Sequence, residues 1–301
     1  LADTDSFTLS VTPVNDAPVM DAIADQAIDE DASLNLTLSA SDVDGDALTF
    51  SASNGNADIS IDGSTLTVTP GADYNGQVVV DVVVTDGNLS DSTSFTITVN
   101  PVNDAPVLGV LADAATDEDT AYSVELSSSD VDGDALTYFA QVDGNGSASV
   151  EGSTLMVTPA TDYNGDILVS VTVSDGLLSD SDSFTLTVNP VNDAPVISTI
   201  ADQTIDEDAS LTLTLSASDV DGDALSFSAS ADSGSVTVDG FTLTVNPDAD
   251  FNGNIVVDVV VTDGNLSDST SFTITVNPVN DAPVLDALVD STTDEDIAYS
   301  V

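Results

Sequence analysis

The chain contains no lysine, no arginine, no histidine and no cysteine in 301 residues. Each absence excludes something. Without Cys there are no disulfides, no thiol nucleophile and no zinc–thiolate site. Without Lys there is no Lys–Asn isopeptide staple of the kind some surface β-domains use. Without any cationic side chain no salt bridge can form within the chain. Carboxylate is then the one general base, no cationic group is present to stabilise an anion, and no constellation is unique to one repeat, so an enzyme is not expected. No run reaches the apolar length of a membrane-spanning helix, and direct membrane insertion of this segment is not expected. No signal peptide is visible.

What is present is acid. The 54 Asp and Glu residues give a net charge of −54. Such a chain repels phosphate, which excludes nucleic acid as a direct partner and argues against anionic membrane surfaces. Every carboxylate must be hydrated, accept hydrogen bonds, or meet a cation. Hydrophobic content of 41% is enough to bury cores, so this is not a disordered acidic tail.

The chain repeats itself. Asn15, Asn103, Asn192 and Asn280 mark one motif, "(N/T)PVNDAPV", at spacings of 88, 89 and 88 residues. "DED" at 29–31, 117–119, 206–208 and 294–296, "DVDGDAL" from Asp42, Asp130 and Asp219, "D(Y/F)NG" from Asp73, Asp162 and Asp250, and "DG" from Asp86, Asp175 and Asp263 keep the same phase. Three full units follow, 17–104, 105–193 and 194–281. Residues 1–16 match the last strand of a preceding unit and 282–301 the start of a following one, as expected of a window cut from a longer array. The extra residue of the second unit falls between Asp134 and Thr154, a Gly/Asn/Ser-rich stretch that reads as a loop.

Within a unit the period is two. "LNLTLSA" sets Leu34, Leu36, Leu38 and Ala40 against Asn35, Thr37 and Ser39, and "SFTITV" sets Phe95, Ile97 and Val99 against Thr96 and Thr98. "VVVDVVVTD" at 78–86 is apolar at nearly every position, which predicts a central strand between two layers. Val79 and Val83 on outward positions could pack on a neighbour. About seven short strands per unit, separated by Gly/Asn/Asp clusters, predict an all-β chain of tandem immunoglobulin-like β-sandwiches in an extended rod. Tyr74, Tyr163 and Phe251 share one position, so the ring is expected to pack there.

An immunoglobulin-like path sends strands alternately up and down. "DED" and "DYNG" then lie at the bottom of a unit, and "DVDGD" and "DG" at the top of the next, with "VNDAP" between. The first junction gathers Glu30, Asp31, Asp73, Asn75, Asn103, Asp104, Asp130, Asp132 and Asp134, with Asp29 and Asp175 nearby. The second gathers Glu118, Asp119, Asp162, Asn164, Asn192, Asp193, Asp219, Asp221 and Asp223. The same motifs supply Asn15, Asp16, Asp42, Asp44 and Asp46 at the junction that opens the first unit, and Glu207, Asp208, Asp250, Asn252, Asn280 and Asp281 at the junction that closes the third. Two carboxylates about 5 Å apart repel by roughly 3 kcal/mol at an effective dielectric of ~20. With no basic side chain to neutralise them, bound cations are expected. An all-oxygen set from several loops suits Ca²⁺ better than the tight octahedron of Mg²⁺. "DVDGD" is not an EF-hand loop: Gly45 falls at loop position 4, Ser53 stands at position 12, and no helices flank it.

These residues resemble the cadherin extracellular repeat. Asn103-Asp104-Ala105-Pro106 is similar to its interdomain linker, "DED" to its first acidic motif and Asp130-Val131-Asp132 to its Asp-x-Asp motif. Asp73-Tyr74-Asn75 is similar to its later acidic turn, with Asn75 in place of an acid. The whole chain also resembles the bacterial cadherin-like tandem repeats with "VNDAPV" linkers, found in large secreted or surface proteins, including adhesins exported by type I secretion. The resemblance implies calcium at each junction and an extracellular, secreted or cell-surface location on a bacterium. It implies a calcium-rigidified spacer or shaft whose partners are calcium, the neighbouring repeats and other copies in a filament. The alternative is a homophilic or glycan-binding module, for which Tyr138, Phe139 and Phe241 are the exposed-aromatic candidates, or a lateral subunit of an extracellular filament.

Overall fold

A computed structural model describes residues 2–287, 290–292, 294–298 and 300. Leu1, Leu288, Val289, Thr293, Tyr299 and Val301 of the two flanking fragments lie outside the described residues. Among the described residues every regular element is a strand. The first repeat has nine: β1 (Val19–Met20), β2 (Gln26–Asp29), β3 (Leu34–Thr37), β4 (Ala40–Ser41), β5 (Thr49–Ser53), β6 (Ala57–Asp62), β7 (Thr65–Pro70), β8 (Gly76–Thr85) and β9 (Ser90–Asn100). The second has β10 (Val107–Leu108), β11 (Ala114–Asp117), β12 (Tyr122–Glu125), β13 (Ser128–Ser129), β14 (Thr137–Val142), β15 (Gly146–Glu151), β16 (Thr154–Pro159), β17 (Gly165–Ser174) and β18 (Ser179–Asn189). The third has β19 (Val196–Ile197), β20 (Gln203–Asp206), β21 (Leu211–Thr214), β22 (Ala217–Ser218), β23 (Ser226–Ala231), β24 (Ser235–Asp239), β25 (Thr242–Asn246), β26 (Gly253–Thr262) and β27 (Ser267–Asn277).

Each repeat is a two-sheet sandwich. In the first, a four-stranded sheet of order β2-β9-β8-β5 faces a three-stranded sheet of order β3-β7-β6, and β1 pairs with β4. The second and third repeats keep the same orders. β2 runs parallel to β9, from Gln26↔Ile97 to Asp29↔Asn100, and β8 runs antiparallel to β9 and β5. The β8–β9 turn shows how sequence sets geometry. Asp86 Oδ1 accepts the N–H of Asn88 at 2.6 Å and of Leu89 at 2.7 Å. Gly87 supplies φ 100°, which a β-carbon would disfavour.

The cores are the inward residues. Leu66, Val68, Val80, Val82, Val84 and Ile97 of the first repeat are fully buried, as are Leu155, Val157, Ile167, Val169, Val171 and Leu186 of the second. The third repeats the pattern with Leu243, Val245, Ile255, Val257 and Ile274. Each contributes about 1.5–3 kcal/mol by burial.

Four expectations need correction. β8 is central in its sheet but covered on one face only: Val78, Val80, Val82 and Val84 are buried, whereas Val79 is 53% exposed and Val83 half-buried. The outward valines imitate a two-sided strand because β-branched residues suit the pleat on either face. "LNLTLSA" is not one strand: Leu38 donates its N–H to Ser64 O at 2.7 Å and Asp21 N–H reaches Ser39 O, which shifts the chain from β3 to β4. Each unit has nine strands rather than seven, because the entry and second strands are split in this way. The stretch between Asp134 and Thr154 is not a loop but β14 and β15 around a turn at 143–145, where Gly144 and Asn145 take positive φ. The rings at the shared aromatic position pack on the core, Tyr74 in the first repeat and Phe251 in the third. Tyr74 also donates its hydroxyl to Gln77 O at 3.0 Å.

The backbone divides into two compact units. One holds Leu1–Ala115, Ala121–Pro159 and Asp166–Thr187; the other holds Thr116–Thr120, Ala160–Gly165 and Val188–Val301. Each linker cluster below lies within one of them. No helix among the described residues is long and apolar enough to cross a membrane.

Candidate metal centres at the linkers

The floor of the first centre is the D-E-D turn that follows β2. Glu30 donates its N–H to Asn100 O at 3.0 Å, which continues the β2–β9 pairing by one bond. Its side chain turns inward and is 6% exposed. Oε1 accepts the N–H of Val102 at 2.5 Å and Oε2 faces Asn75 Nδ2 at 3.3 Å. The buried charged residues of the described chain are Glu30, Glu118 and Glu207, the middle residue of three D-E-D turns. A carboxylate is rarely so enclosed without a partner.

Asp31 follows at φ 60° and Asp73 of the "DYNG" turn at φ 54°. Asp73 donates its N–H to Asp31 Oδ1 at 3.2 Å, which ties the two turns together. The pairs Asp119–Asp162 and Asp208–Asp250 repeat both the conformation and the bond. Asp tolerates this left-handed region better than most residues. Holding it at the same two positions in three repeats spends backbone strain where the acids meet.

The other wall is "DVDGD". Asp42 Oδ1 accepts the N–H groups of Asp44, Gly45 and Asp46 at 2.9, 3.0 and 3.3 Å. Asp130 and Asp219 keep the bond to Asp134 and Asp223, each at 3.2 Å. The loop curls round its first carboxylate and turns its second to the linker: Asp132 Oδ2 accepts the N–H of Asp104 at 2.8 Å. Asp221 does the same for Asp193, and Asp44 for Asp16.

The linker joins these walls. Glu30, Asp104 and Asp132 bring one carboxylate oxygen each within 4.8 Å of one another, and so do Asp31, Asp73 and Asp104. Asp104 belongs to both groups. At the second linker the groups are Glu118, Asp193, Asp221 and Asp119, Asp162, Asp193. Asp130, Asp132 and Asp134 form another such group. Beside the second linker an open cleft of about 420 Å³ is lined by Asp162, Asp193, Ala194, Val196, Ser218, Asp219 and Val220.

Desolvation raises the pKa of Asp104 above its ordinary value, and the charges of Asp73, Asp132, Asp31 and Glu30 add to the rise. Asp193 is raised by desolvation and then by Asp162, Asp221, Asp119 and Glu118. Asp281 is raised by desolvation and by Asp250, Glu207 and Asp208. Oδ2 of Asp42, Asp104, Asp130 and Asp219 is buried with no hydrogen-bond donor. A buried, donor-less carboxylate oxygen among like charges fits a bound cation, and the chain has no cationic side chain to place there. The donors are all oxygen, which fits a hard cation.

The linker asparagines use their amide nitrogens within the chain. Asn103 Nδ2 donates to Asp175 Oδ2 at 2.8 Å and to Asp104 O at 3.0 Å. Asn15 and Asn192 make the same pair of bonds to Asp86 and Asp16, and to Asp263 and Asp193. The "DG" aspartates are thus receptors for the linker amide. Asn75 offers its amide nitrogen to Glu30. Asp29 accepts from Asn100 Nδ2 at 3.3 Å. Asn280 donates to Asp281 O at 3.1 Å.

One set of residues escaped sequence reasoning. Asp91, Asp180 and Asp268, the "SD" of "LSDS", accept the N–H of Met20, Leu108 and Ile197, each at 2.9 Å. They staple the strand after each linker to the far hairpin. Their fixed phase in the repeat was the available signal.

A protein-family model described as "Bacterial Ig domain" matches residues 15–100, 103–189 and 192–277. Chitinase A of Pseudoalteromonas piscicida is 32% identical over 118 residues, covering 36% of this chain and 14% of that protein. The chain therefore spans a small part of that relative's length. Among solved structures, PcdhgB3 EC1-4 is similar at TM-score 0.50 and 17% identity, over 88% of this chain and 76% of that one. Drosophila N-cadherin EC1-4 has the same identity and coverage at TM-score 0.37. The first of these likenesses speaks for the fold alone. The matched segments stop at the linkers and take in all three sandwiches, and the chain belongs to the bacterial Ig domain family, in three tandem copies.

Proposed function

We infer that this chain is a calcium-rigidified spacer, one stretch of the shaft of a large extracellular adhesin or surface fibre that holds other domains away from the cell. Tandem domains of this family are typically extracellular structural or adhesion modules rather than catalysts. The observation that carries the reading is Asp104. Its Oδ2 is buried without a donor, and its carboxylate sits in two overlapping acid groups drawn from both sides of one linker.

Calcium would be held at the first linker by Glu30, Asp31, Asp73, Asp104, Asp130, Asp132 and Asp134, and at the second by Glu118, Asp119, Asp162, Asp193, Asp219, Asp221 and Asp223. Asp16, Asp42, Asp44 and Asp46 at the junction that opens the first repeat and Glu207, Asp208, Asp250 and Asp281 at the junction that closes the third offer the same chemistry. Asn103 and Asn192 would hold the linker against the hairpin of the next repeat, and Asn15 and Asn280 stand at the same positions. Asn75, Asn164 and Asn252 would line the floor. What the cation supplies is positive charge where the chain has none. Bound, it turns mutual repulsion into a clamp between consecutive repeats (17–104, 105–193 and 194–281), and tandem clamps stiffen a string of sandwiches. Extracellular modules bind calcium with Kd near 10⁻⁴–10⁻³ M. Such sites fill outside a cell and stay empty inside it, and the acidic, Cys-free chain could remain unfolded until exported.

The test is small-angle scattering and thermal melting of the full chain in millimolar calcium and in chelator. At about 10 mM free calcium, roughly 100 times a Kd near 10⁻⁴ M, each site adds about 2.7 kcal/mol. The expected result is a rise in Tm of ten degrees or more and a longer maximum dimension with calcium. Equal Tm and equal dimension in chelator would sink the reading.

A further inference from the structure

The three repeats are alike at the linkers and unlike on one face. The four-stranded sheet of each sandwich turns its outer face to solvent, and its centre is set by two cross-strand pairs. In the first repeat these are Ser51↔Val83 and Ser53↔Asp81. In the third they are Ser228↔Val260 and Ser230↔Asp258. In the second they are Phe139↔Thr172 and Gln141↔Ser170. All four positions change together. The central carboxylate is lost, a hydroxyl replaces the valine, an amide replaces a serine, and a phenyl ring 60% exposed stands on edge strand β14. Leu168, 45% exposed, lies on the same face of β17. The carboxylates at its margin are engaged: Asp143 accepts the N–H of Leu168 at 3.2 Å and Asp166 accepts the Thr187 hydroxyl at 2.9 Å.

A lone exposed apolar residue needs no explanation. A large ring on an edge strand beside a discharged centre does, because edges are ordinarily guarded by charge. On a chain of net charge −54, a cationic partner would prefer almost any other face and an anionic one would be repelled. The patch is complementary in charge to a neutral partner. Its chemistry is one apolar ring rimmed by an amide and hydroxyls, a flat platform for a ligand with C–H faces and hydroxyl edges.

We propose that the outer sheet face of the second repeat, with Phe139 as the stacking platform and Gln141, Ser170 and Thr172 as hydrogen-bonding partners, binds an uncharged polysaccharide. A sugar ring lies its C–H face on Phe139, and its hydroxyls reach the neighbouring strand. The face stands on the sandwich core and not on the linker centres, so it does not rest on the calcium reading.

The full chain, in saturating calcium, is incubated with insoluble cellulose, chitin and mannan particles, and the bound fraction is measured against protein concentration. Retention on at least one of the three is expected. Phe139→Ala lowers its affinity about tenfold or more, the loss that marks a central aromatic anchor. Ser170→Asp, which installs the residue of the neighbouring repeats and so keeps the fold, lowers it similarly. Phe241→Ser, on the third repeat, leaves it unchanged. No retention on any matrix, or retention indifferent to both variants, overturns the proposal. So does a concentration-dependent dimer in sedimentation that Phe139→Ala abolishes, since the face would then serve a second copy.

Discussion

Asp104 and Asp175 flank the same asparagine and are driven in opposite directions. Asp175 accepts from Asn103 Nδ2 and from the N–H groups of Leu177 and Leu178 at 2.6 and 2.7 Å. The Asn103 amide, first, and those backbone donors hold its pKa below the ordinary value near 3.8. Asp104 has an oxygen with no donor and four acidic neighbours, and its pKa is raised. Asp263 and Asp193 repeat the contrast at the second linker. At Asp175 both oxygens are met by N–H groups of the chain, whereas one oxygen of Asp104 is met by none. The contrast sets these two acids apart, while Glu30, Asp31 and Asp132 accept a backbone N–H each and still stand in the acid groups.

The largest effect should come from changing the acid with the unmet oxygen. Asp104→Asn deletes one charge shared by two acid groups, and calcium titration calorimetry should show affinity at the first linker falling by more than the roughly 10–100-fold that loss of even an outer partner costs. In chelator the sign reverses: Asp104→Asn should raise Tm, because it removes repulsion and leaves nothing unpaired. A variant that lowers Tm equally in calcium and in chelator would break the comparison.

Acid provides the next test, in chelator. A carboxylate whose folded pKa is raised opposes folding above its unfolded value and stops opposing it once protonated. The penalty at Asp104 therefore disappears as pH falls through its raised pKa towards 3.8. Asp175 has a lowered pKa, so its stabilisation is present above 3.8 and is lost as pH falls through its folded value. Between pH 6 and 3 the Tm gap between wild type and Asp104→Asn should close from the stabilised side. The gap for Asp175→Asn should close from the destabilised side, and at lower pH.

Much of this was readable beforehand. An immunoglobulin-like path puts motifs at fixed phase on alternate ends, so "DED", "VND" and "DVDGD" were expected to meet, and Glu30, Asp104 and Asp132 do lie together. The fold followed from the alternation in "SFTITV" and "STLTV". What could not be read was which partner each acid would find. Asp91 looks like any turn acid, yet it holds Met20 N–H from 71 residues away. Asn103 was expected as a ligand through its amide oxygen, and the pattern gave no sign that its amide nitrogen would reach Asp175 as well as the next backbone carbonyl. Both depend on register across the sandwich, which hydrophobic pattern does not carry. Nor did "VVVDVVV" reveal that Val79 faces water: an outward valine and an inward one read alike.

The bridge between the two carboxylates can be cut on its own. Asn103→Ala removes the amide that ties Asp175 to the linker backbone and leaves both charges in place. In calcium, Tm of the affected repeats should fall by about 4–8 °C, less than the holo loss from Asp104→Asn. Double substitution with Asp175→Asn should add little, since the two share one bond.

The smallest effect should come from an acid unlike either. Asp81 lies on the outer face of β8, exposed, opposite Ser53 and Ser94 and away from either linker. Ser170 stands in its place in the second repeat, so the fold accepts the exchange. Asp81→Ser removes one unit of net charge, as Asp104→Asn does. If total acidity were what calcium answers, the two should lower calcium-dependent stabilisation alike. If placement decides, Asp81→Ser should change stability by no more than about 0.5 kcal/mol, in calcium and in chelator alike. Denaturant melts of the two variants side by side measure this directly. An equal response from both would mean that the chain's charge, and not the linker geometry, sets its dependence on calcium.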